Sequence, residues 1–134
     1  MLEGGRLYIK HGSKFLELIN VRVTRCPNTE PAGIHIIDIS GGRIQNVYAH
    51  WNDTNGVLLE AAHALDINEL RARDNVNSGI ISRRYSTTAP DEEGELGSGI
   101  VGLQRCSGHI YIENNGGWGL DIQDGCEAAH LVLV

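Results

Sequence analysis

The chain has 134 residues, of which 41% are hydrophobic, enough apolar material for the core of a single domain. Its 17 acidic and 11 basic residues give a net charge of −6, which argues against a surface that follows nucleic-acid phosphates. The sequence has no apolar run of membrane-spanning length, and the N-terminus lacks the basic and apolar segments of a signal peptide.

Short apolar segments that begin with glycine recur along the chain. They start at Gly33, Gly56, Gly79, Gly99 and Gly119, and the first two steps are both 23 residues. A single coil of strand cannot bury its own apolar face, so such units must stack, with equivalent side chains about 4.8 Å apart. The repeat therefore predicts a β-helix.

A second apolar segment with period-2 alternation precedes three of these glycines by the same 9 residues, at positions 47, 70 and 110, whereas the first coil, from 21 to 33, needs 12. An asparagine follows each of the three positions after five residues, at Asn52, Asn75 and Asn115. Asparagine tolerates the left-handed conformation, and its amide both donates and accepts hydrogen bonds. These asparagines are therefore predicted to form a structural ladder at a corner of the coil.

Residues 57–73 are the main alternative to this fold. Their residue types favour a helix, and Leu58, Ala62 and Leu65 approximate one helical face. The same segment preserves the 23-residue step before it and the asparagine spacing after it. We therefore predict strand here, and a helix would contradict the β-helix interpretation.

The predicted fold is all-β, a right-handed single-stranded parallel β-helix of about five coils, forming one domain over residues 1–134. Leu70 and Ile110 lie 40 residues apart where a regular step uses 23, which predicts an inserted loop at about residues 84–98. Its turn formers and acidic residues favour a polar loop that projects from the stack. The final strand has no polar cap, so we expect the chain to be a piece of a longer protein.

This repeat resembles that of the right-handed parallel β-helix superfamily, which includes pectate lyases, polysaccharide hydrolases and bacteriophage tailspikes. The resemblance covers about residues 18–134 and is one of repeat type, without a diagnostic catalytic motif. It implies a polysaccharide-binding or polysaccharide-degrading domain of phage-tail or extracellular type, acting as a lyase or a glycoside hydrolase if it is an enzyme. A noncatalytic structural or adhesion segment, acting through oligomerisation such as a homotrimer, is the alternative.

Alternation in the glycine-led strands predicts two outward columns of side chains. One column holds His35, Leu58, Ile81 and Asp121, and the other holds Ile37, Glu60, Arg83 and Gln123. Hydrolysis of a glycosidic bond needs two carboxyl groups about 5 to 9.5 Å apart, for which Glu60 with Asp121, or Asp121 with Asp124, are the candidates. By the resemblance, a lyase would use Arg83, or alternatively Arg84, as a base beside the acidic loop.

The predicted ligand contacts are His35, Tyr85, Trp118 and Gln123. The rings of Tyr85 and Trp118, near the insertion or a turn, suit contact with sugar rings. The histidines lack metal-binding spacing, so neither a metal site nor a cofactor is predicted, although the acidic loop would suit calcium. The outward Leu58, Ile81 and Ile37 indicate a partner surface that fits a homotrimer.

Overall fold

The computed structural model describes residues 1–10, 15–92, 94–97, 102–123, 126–127 and 130–134. These residues contain no helix, and their strands stack in parallel as a β-solenoid of about five turns. The strands are β1 (Leu2–Glu3), β2 (Leu7–Ile9), β3 (Leu16–Ile19), β4 (Arg22–Thr24), β5 (Ala32–His50), β6 (Asn55–Arg73), β7 (Ile80–Arg83), β8 (Leu103–Gln104), β9 (Ser107–Glu113), β10 (Leu120–Ile122), β11 (Cys126–Glu127) and β12 (His130–Leu133).

The long strand β6 decides the question of residues 57–73. The segment is strand throughout and pairs in parallel with β5 on one side and with β7, β8 and β9 on the other. Its inward side chains, among them Leu59, Leu65 and Ile67, are buried in the core. Burial of alternate residues outweighs the weak helix propensity of the segment, as the repeat predicts.

Residues in the left-handed conformation turn the long strands at equivalent places in successive coils. Trp51, Asp74 and Asn114 each have a φ of 54° and each precede one of the ladder asparagines. The ladder asparagines themselves are not left-handed, so the left-handed geometry predicted for Asn52, Asn75 and Asn115 is wrong. The corner belongs to the preceding residue because the asparagine side chain must point into the stack.

The three asparagines are joined by hydrogen bonds along the solenoid axis. Asn52 Nδ2 donates to Asn75 Oδ1 at 2.9 Å, and Asn75 Nδ2 donates to Asn115 Oδ1 at 2.8 Å. A Cβ on Gly56 would lie 2.6 Å from Nδ2 of Asn75, and the same distance separates a Cβ on Gly79 from Asn115 Nδ2. Each of these repeated glycines therefore packs against the repeated asparagine of the next coil.

The first departure from the regular coil is a longer turn. Seven residues, 25–31, join β4 to β5, whereas only four residues, 51–54, join the equivalent strands of the next coil. The turn contains Pro27 and Pro31 and is closed by a backbone hydrogen bond from Glu30 to Pro27. This turn accounts for the longer spacing of the first coil in the sequence.

The second departure is the insertion. Arg83 is in register with Glu60, and Leu103 is in register with Ala62, so residues 84–102 stand where the preceding coil has only Ala61. The insertion thus ends four residues later than the predicted 84–98. Ile80 is in register with Leu120, which makes Gly119 the successor of Gly79. Gly99, which the sequence predicts as the start of a coil, lies outside the described residues.

Part of the insertion packs against the stack, whereas residues 84, 87–90, 92 and 94–96 are exposed, as expected of a polar loop. Tyr85 is only 3% exposed and packs against Ile37 and Ala61. Ile37 and Leu58, the predicted apolar partner surface, are each 2% exposed. Contact between the Tyr85 ring and Ile37 removes apolar surface of both side chains from water. This burial favours the position of Tyr85 against the stack.

Candidate functional site

The two departures from the repeat border the same cleft, which has a volume of about 660 Å³. We call the surface beneath it the cleft face, formed by residues 34–37, 57–60 and 80–83 in three successive coils. One wall of the cleft is the longer turn, at residues 28–31, and the opposite wall is the insertion, at residues 84–86 and 89–92. The longer turn and the insertion thus border one concave surface.

The floor of the cleft holds a short chain of hydrogen bonds around Glu60. His35 Nε2 lies 2.6 Å from Glu60 Oε1, and Arg83 Nη2 donates to the same oxygen at 3.3 Å. The His35 and Glu60 side chains are only 5% and 11% exposed, whereas that of Arg83 is 42% exposed. Arg83 therefore has one end fixed by the floor and presents the rest of its guanidinium to the cleft.

Arg6 connects the floor to both walls. Its Nη1 lies 3.2 Å from His35 Nδ1, its Nε lies 3.0 Å from Glu30 of the turn, and its Nη1 lies 3.1 Å from Glu92 of the insertion. A guanidinium can only donate, so His35 Nδ1 must accept. The histidine proton then lies on Nε2 and is donated to Glu60, which fixes a neutral tautomer.

Two glutamates of the cleft, Glu60 and Glu92, are held as carboxylates. Burial acts to raise the pKa of Glu60, but the hydrogen bonds from His35 and Arg83 outweigh it, and the pKa lies below its usual range. The hydrogen bond from Arg6 lowers the pKa of Glu92, and the same contact raises the pKa of Arg6. The floor and walls are therefore joined by permanent charges at neutral pH.

The two tyrosines of the cleft support its walls. Tyr8 stacks on His35 with ring centroids 5.1 Å apart, and the Arg6 guanidinium lies 4.3 Å from the centroid of the Tyr8 ring. Tyr85 donates a hydrogen bond to the Glu95 carbonyl at 2.9 Å, and burial is the main cause of its raised pKa. Little of the Tyr85 ring is left for a sugar, and its role is to anchor the insertion.

Among the predicted site residues, the cleft brings together Glu60, Arg83, His35 and Tyr85. Asp121 and Gln123 lie on the next coil, where Gln123 Nε2 donates to Asp121 Oδ2 at 2.9 Å, and neither lines the cleft. Asp121 is in register with Ile81, which places its Cα roughly 12 Å from that of Glu60 by strand spacing. A hydrolase pair of Glu60 and Asp121 is therefore too wide without convergence of the side chains.

The other predicted residues lie elsewhere. Trp118 is 72% exposed in the turn before β10 and is not part of the cleft. Asp124 lies outside the described residues. Within the described ranges no three His, Cys, Asp or Glu side chains converge on a point that would hold a metal ion, so those residues provide no calcium site. The described residues also include no helix that would reach across a membrane.

Sequence reasoning missed Arg6, Tyr8 and the 28–31 turn. The first two lie before residue 18, where the glycine and asparagine signature is absent, and only the pairing of β2 with β5 places Tyr8 beside His35. The turn did have a signal, because the first coil is three residues longer than its successors. The sequence therefore indicated the site through two coils that are longer than the regular repeat.

Comparison of the chain with protein-family models, with curated proteins and with solved structures returned no match.

Proposed function

We propose that the cleft binds a segment of polysaccharide, in a protein that works outside the cell or on a virion. The observation that carries this proposal is that both irregular segments of the repeat border the same cleft over a preorganised polar floor. A volume of about 660 Å³ lies in the range of small-ligand sites, and an oligosaccharide of a few rings fits that scale. Loops on a rigid scaffold are where ligand contacts usually arise.

The chemistry of the walls supports a ligand rich in hydroxyl groups. Asn28, Thr29 and Ser86 provide amide and hydroxyl groups on opposite sides of the cleft, and Arg83 adds an oriented donor at the floor. Such groups hydrogen-bond sugar hydroxyls. Recognition by these polar edges replaces the aromatic stacking that Tyr85 and Trp118 were expected to provide.

The charge states favour binding over hydrolysis. A glycosidase needs one carboxyl group that carries a proton, beside one that is ionised. Glu30 and Glu92 are ion-paired with Arg6, and Glu60 is bonded to Arg83 and His35. The pKa of Glu60 and that of Glu92 both lie below the usual range, so neither of these two glutamates is prepared to donate a proton.

The test is a binding panel of neutral and acidic oligosaccharides, measured by isothermal titration calorimetry. We expect at least one to bind, and Arg83→Gln to weaken that binding by about tenfold, because a hydrogen bond from a charged donor is lost. Arg105→Gln, an exposed arginine at another corner, is the matched control for the change in charge and should leave affinity unchanged. The same panel is assayed for reducing ends and for unsaturated products.

The failure of every glycan to bind would contradict the proposal. The noncatalytic structural or adhesion role would then be preferred, and a trimeric mass in solution would support it. Burial of Ile37 and Leu58 leaves the half-buried Ile81 as the remaining residue of the apolar surface on which that trimer was based. An unsaturated or reducing product would instead extend the proposal from binding to cleavage.

A further inference from the structure

A second surface carries an alternating column of arginine and tyrosine. Arg22, Tyr48, Arg71 and Tyr111 occupy one outward position in four successive coils. We call this surface the tyrosine face, formed by residues 22–24, 47–50, 70–73 and 110–113. In β5 it is separated from the cleft face by left-handed corners at Asp38 and Asn46, so the two faces point in different directions.

The tyrosines orient the arginines. The Arg71 guanidinium lies 4.4 Å from the Tyr111 ring centroid and 5.5 Å from that of Tyr48, and the Arg22 guanidinium lies 5.3 Å from Tyr48. Glu69 accepts from Arg71 Nε at 2.6 Å. This hydrogen bond to Glu69, within the described part of the chain, uses the Nε of Arg71 and not its terminal amino groups. The terminal amino groups of Arg71 are thus held in a fixed plane, which suits bidentate binding of an acidic group.

A groove of about 450 Å³ lies at one end of the column and is lined in part by Asn20, Asn46, Arg22 and Tyr48. Asn46 Nδ2 donates to Asn20 Oδ1 at 2.7 Å, so the two amides form a polar rim beside Arg22. Amide groups bind hydroxyls as well as each other. The groove therefore adds contacts for neutral polar groups next to a cationic one.

We propose that the tyrosine face binds a linear acidic glycan whose carboxylate or sulfate groups contact Arg22 and Arg71. These arginines are two coils apart, about 9.6 Å by strand spacing, which is similar to the length of a disaccharide. The asparagine amides then contact sugar hydroxyls. This site is independent of the ligand proposed for the cleft.

The charges beside the column favour a glycan over a nucleic acid. Glu69 lies within the column's contacts, and Glu113 lies in the neighbouring column with Arg73. Each strand of a DNA duplex carries a phosphate about every 3.4 Å of helix axis, so phosphates between those that meet the two arginines would face these carboxylates. A glycan with one acidic group in each disaccharide places these groups beside the arginines and away from the glutamates.

The test uses the full chain with lightly substituted carboxymethyl dextran, neutral dextran and a single-stranded oligonucleotide. We expect the carboxymethyl dextran alone to bind. The double variant Arg22→Gln/Arg71→Gln should weaken that binding roughly tenfold, from the loss of two charged contacts. The double variant Arg43→Gln/Arg105→Gln makes the same change in net charge elsewhere and should stay within about twofold of the unmodified chain. Thermal unfolding checks that each variant is folded.

Three results would overturn the proposal. Equal losses in the two double variants would show a general charge effect, and tighter binding of the oligonucleotide would show a nucleic-acid surface. Absence of binding to carboxymethyl dextran would remove the site. Arg83→Gln separates the two faces, because a loss of binding in that variant alone would place the ligand in the cleft. If the double variant fails to fold, Arg71→Lys replaces it, keeping the charge without the planar fork, and should still weaken binding.

Discussion

His50 is a half-buried residue whose Nε2 atom is buried in an environment that opposes protonation. Its ring centroid lies 4.6 Å from that of Trp51 and 6.4 Å from that of Tyr48, and no described residue provides Nε2 with a hydrogen bond. Burial lowers the pKa of His50, and the nearby Arg22 and Arg73 lower it further, against a smaller opposing effect of Asp74. The folded protein therefore holds this histidine in its neutral form.

This environment predicts a loss of stability on mild acidification. The unfolded histidine takes up a proton near pH 6.5, whereas the folded one resists protonation until a lower pH. Stability should thus be complete above about pH 6.5 and should decrease as the pH falls toward the folded pKa. His50→Gln should flatten this part of the pH profile, measured by urea unfolding.

A control for this effect is Glu60→Gln. The pKa of Glu60 is lowered in the folded protein, so its stabilising effect is lost only below its ordinary range of about 4.3. The Glu60 variant should leave the dependence of stability on pH unchanged between about pH 5 and 7. This range lies above the usual carboxyl pKa and includes the usual histidine pKa. An unchanged slope in His50→Gln would contradict the proposed role of His50.

For single residues, the sequence predicted the direction in which a side chain points but not the side chains that it contacts. Alternation placed Glu60 and Arg83 in one outward column and His35 in the next, and the strand register has the same columns. The bond between His35 and Glu60 joins side chains of different columns, and Arg6 reaches them from another coil. Such contacts depend on rotamers and on chain pairing, which a single-sequence periodicity does not contain.

The asparagine ladder carries several buried hydrogen bonds. Asn75 accepts from the backbone and side chain of Asn52, and it donates to Asn115 and to the Ala49 carbonyl. Asn75→Ala should reduce the free energy of unfolding by about 2 to 4 kcal/mol, because it leaves several buried groups without partners. Chemical denaturation measures this change.

The matched control is Asn77→Ala, which removes an exposed amide two residues away. Its effect should be within about 0.5 kcal/mol. Similar losses in the two variants would mean that the ladder is not the source of the stability. The sequence signal for the ladder was strong because glycine and asparagine must both be present at each contact.

The insertion is held against the stack by the Tyr85 ring and by the ion pair between Glu92 and Arg6. Tyr85→Ala should cost about 3 kcal/mol of local packing and should expose residues 84–97 to proteolysis, while β5 and β6 remain protected. Tyr85→Phe keeps the ring and loses the hydrogen bond to Glu95, so it should remain nearly as resistant. Equal cleavage of the two variants would contradict anchoring by the ring.

The spacing between repeats predicted this insertion but did not predict that part of it packs against the stack. Excess residues between Leu70 and Ile110 show only that extra chain leaves the repeat. Its return onto the stack depends on Tyr85 meeting Ile37 and Ala61 from two other coils. The acidic composition favoured a solvated loop, yet Glu92 is used by Arg6 to hold the insertion in place.

For the whole molecule, the regular coils form a rigid frame and the irregular segments form the site. The core continues through the stack from Leu18 to Ile110 without interruption by the insertion. A longer turn and an insertion can therefore change length and composition without disturbing the pairing of the coils. This separation of frame and site explains why the fold was predictable from the repeat and the cleft only in outline.

The most direct measurement of the central claim is an NMR titration of ¹⁵N-labelled protein with the oligosaccharide panel. If the two irregular segments form a glycan-binding cleft, the amide shifts of residues 28–30, 35, 60 and 83–86 should change together and saturate together. Shift changes confined to other faces, or none with any glycan, would contradict the account.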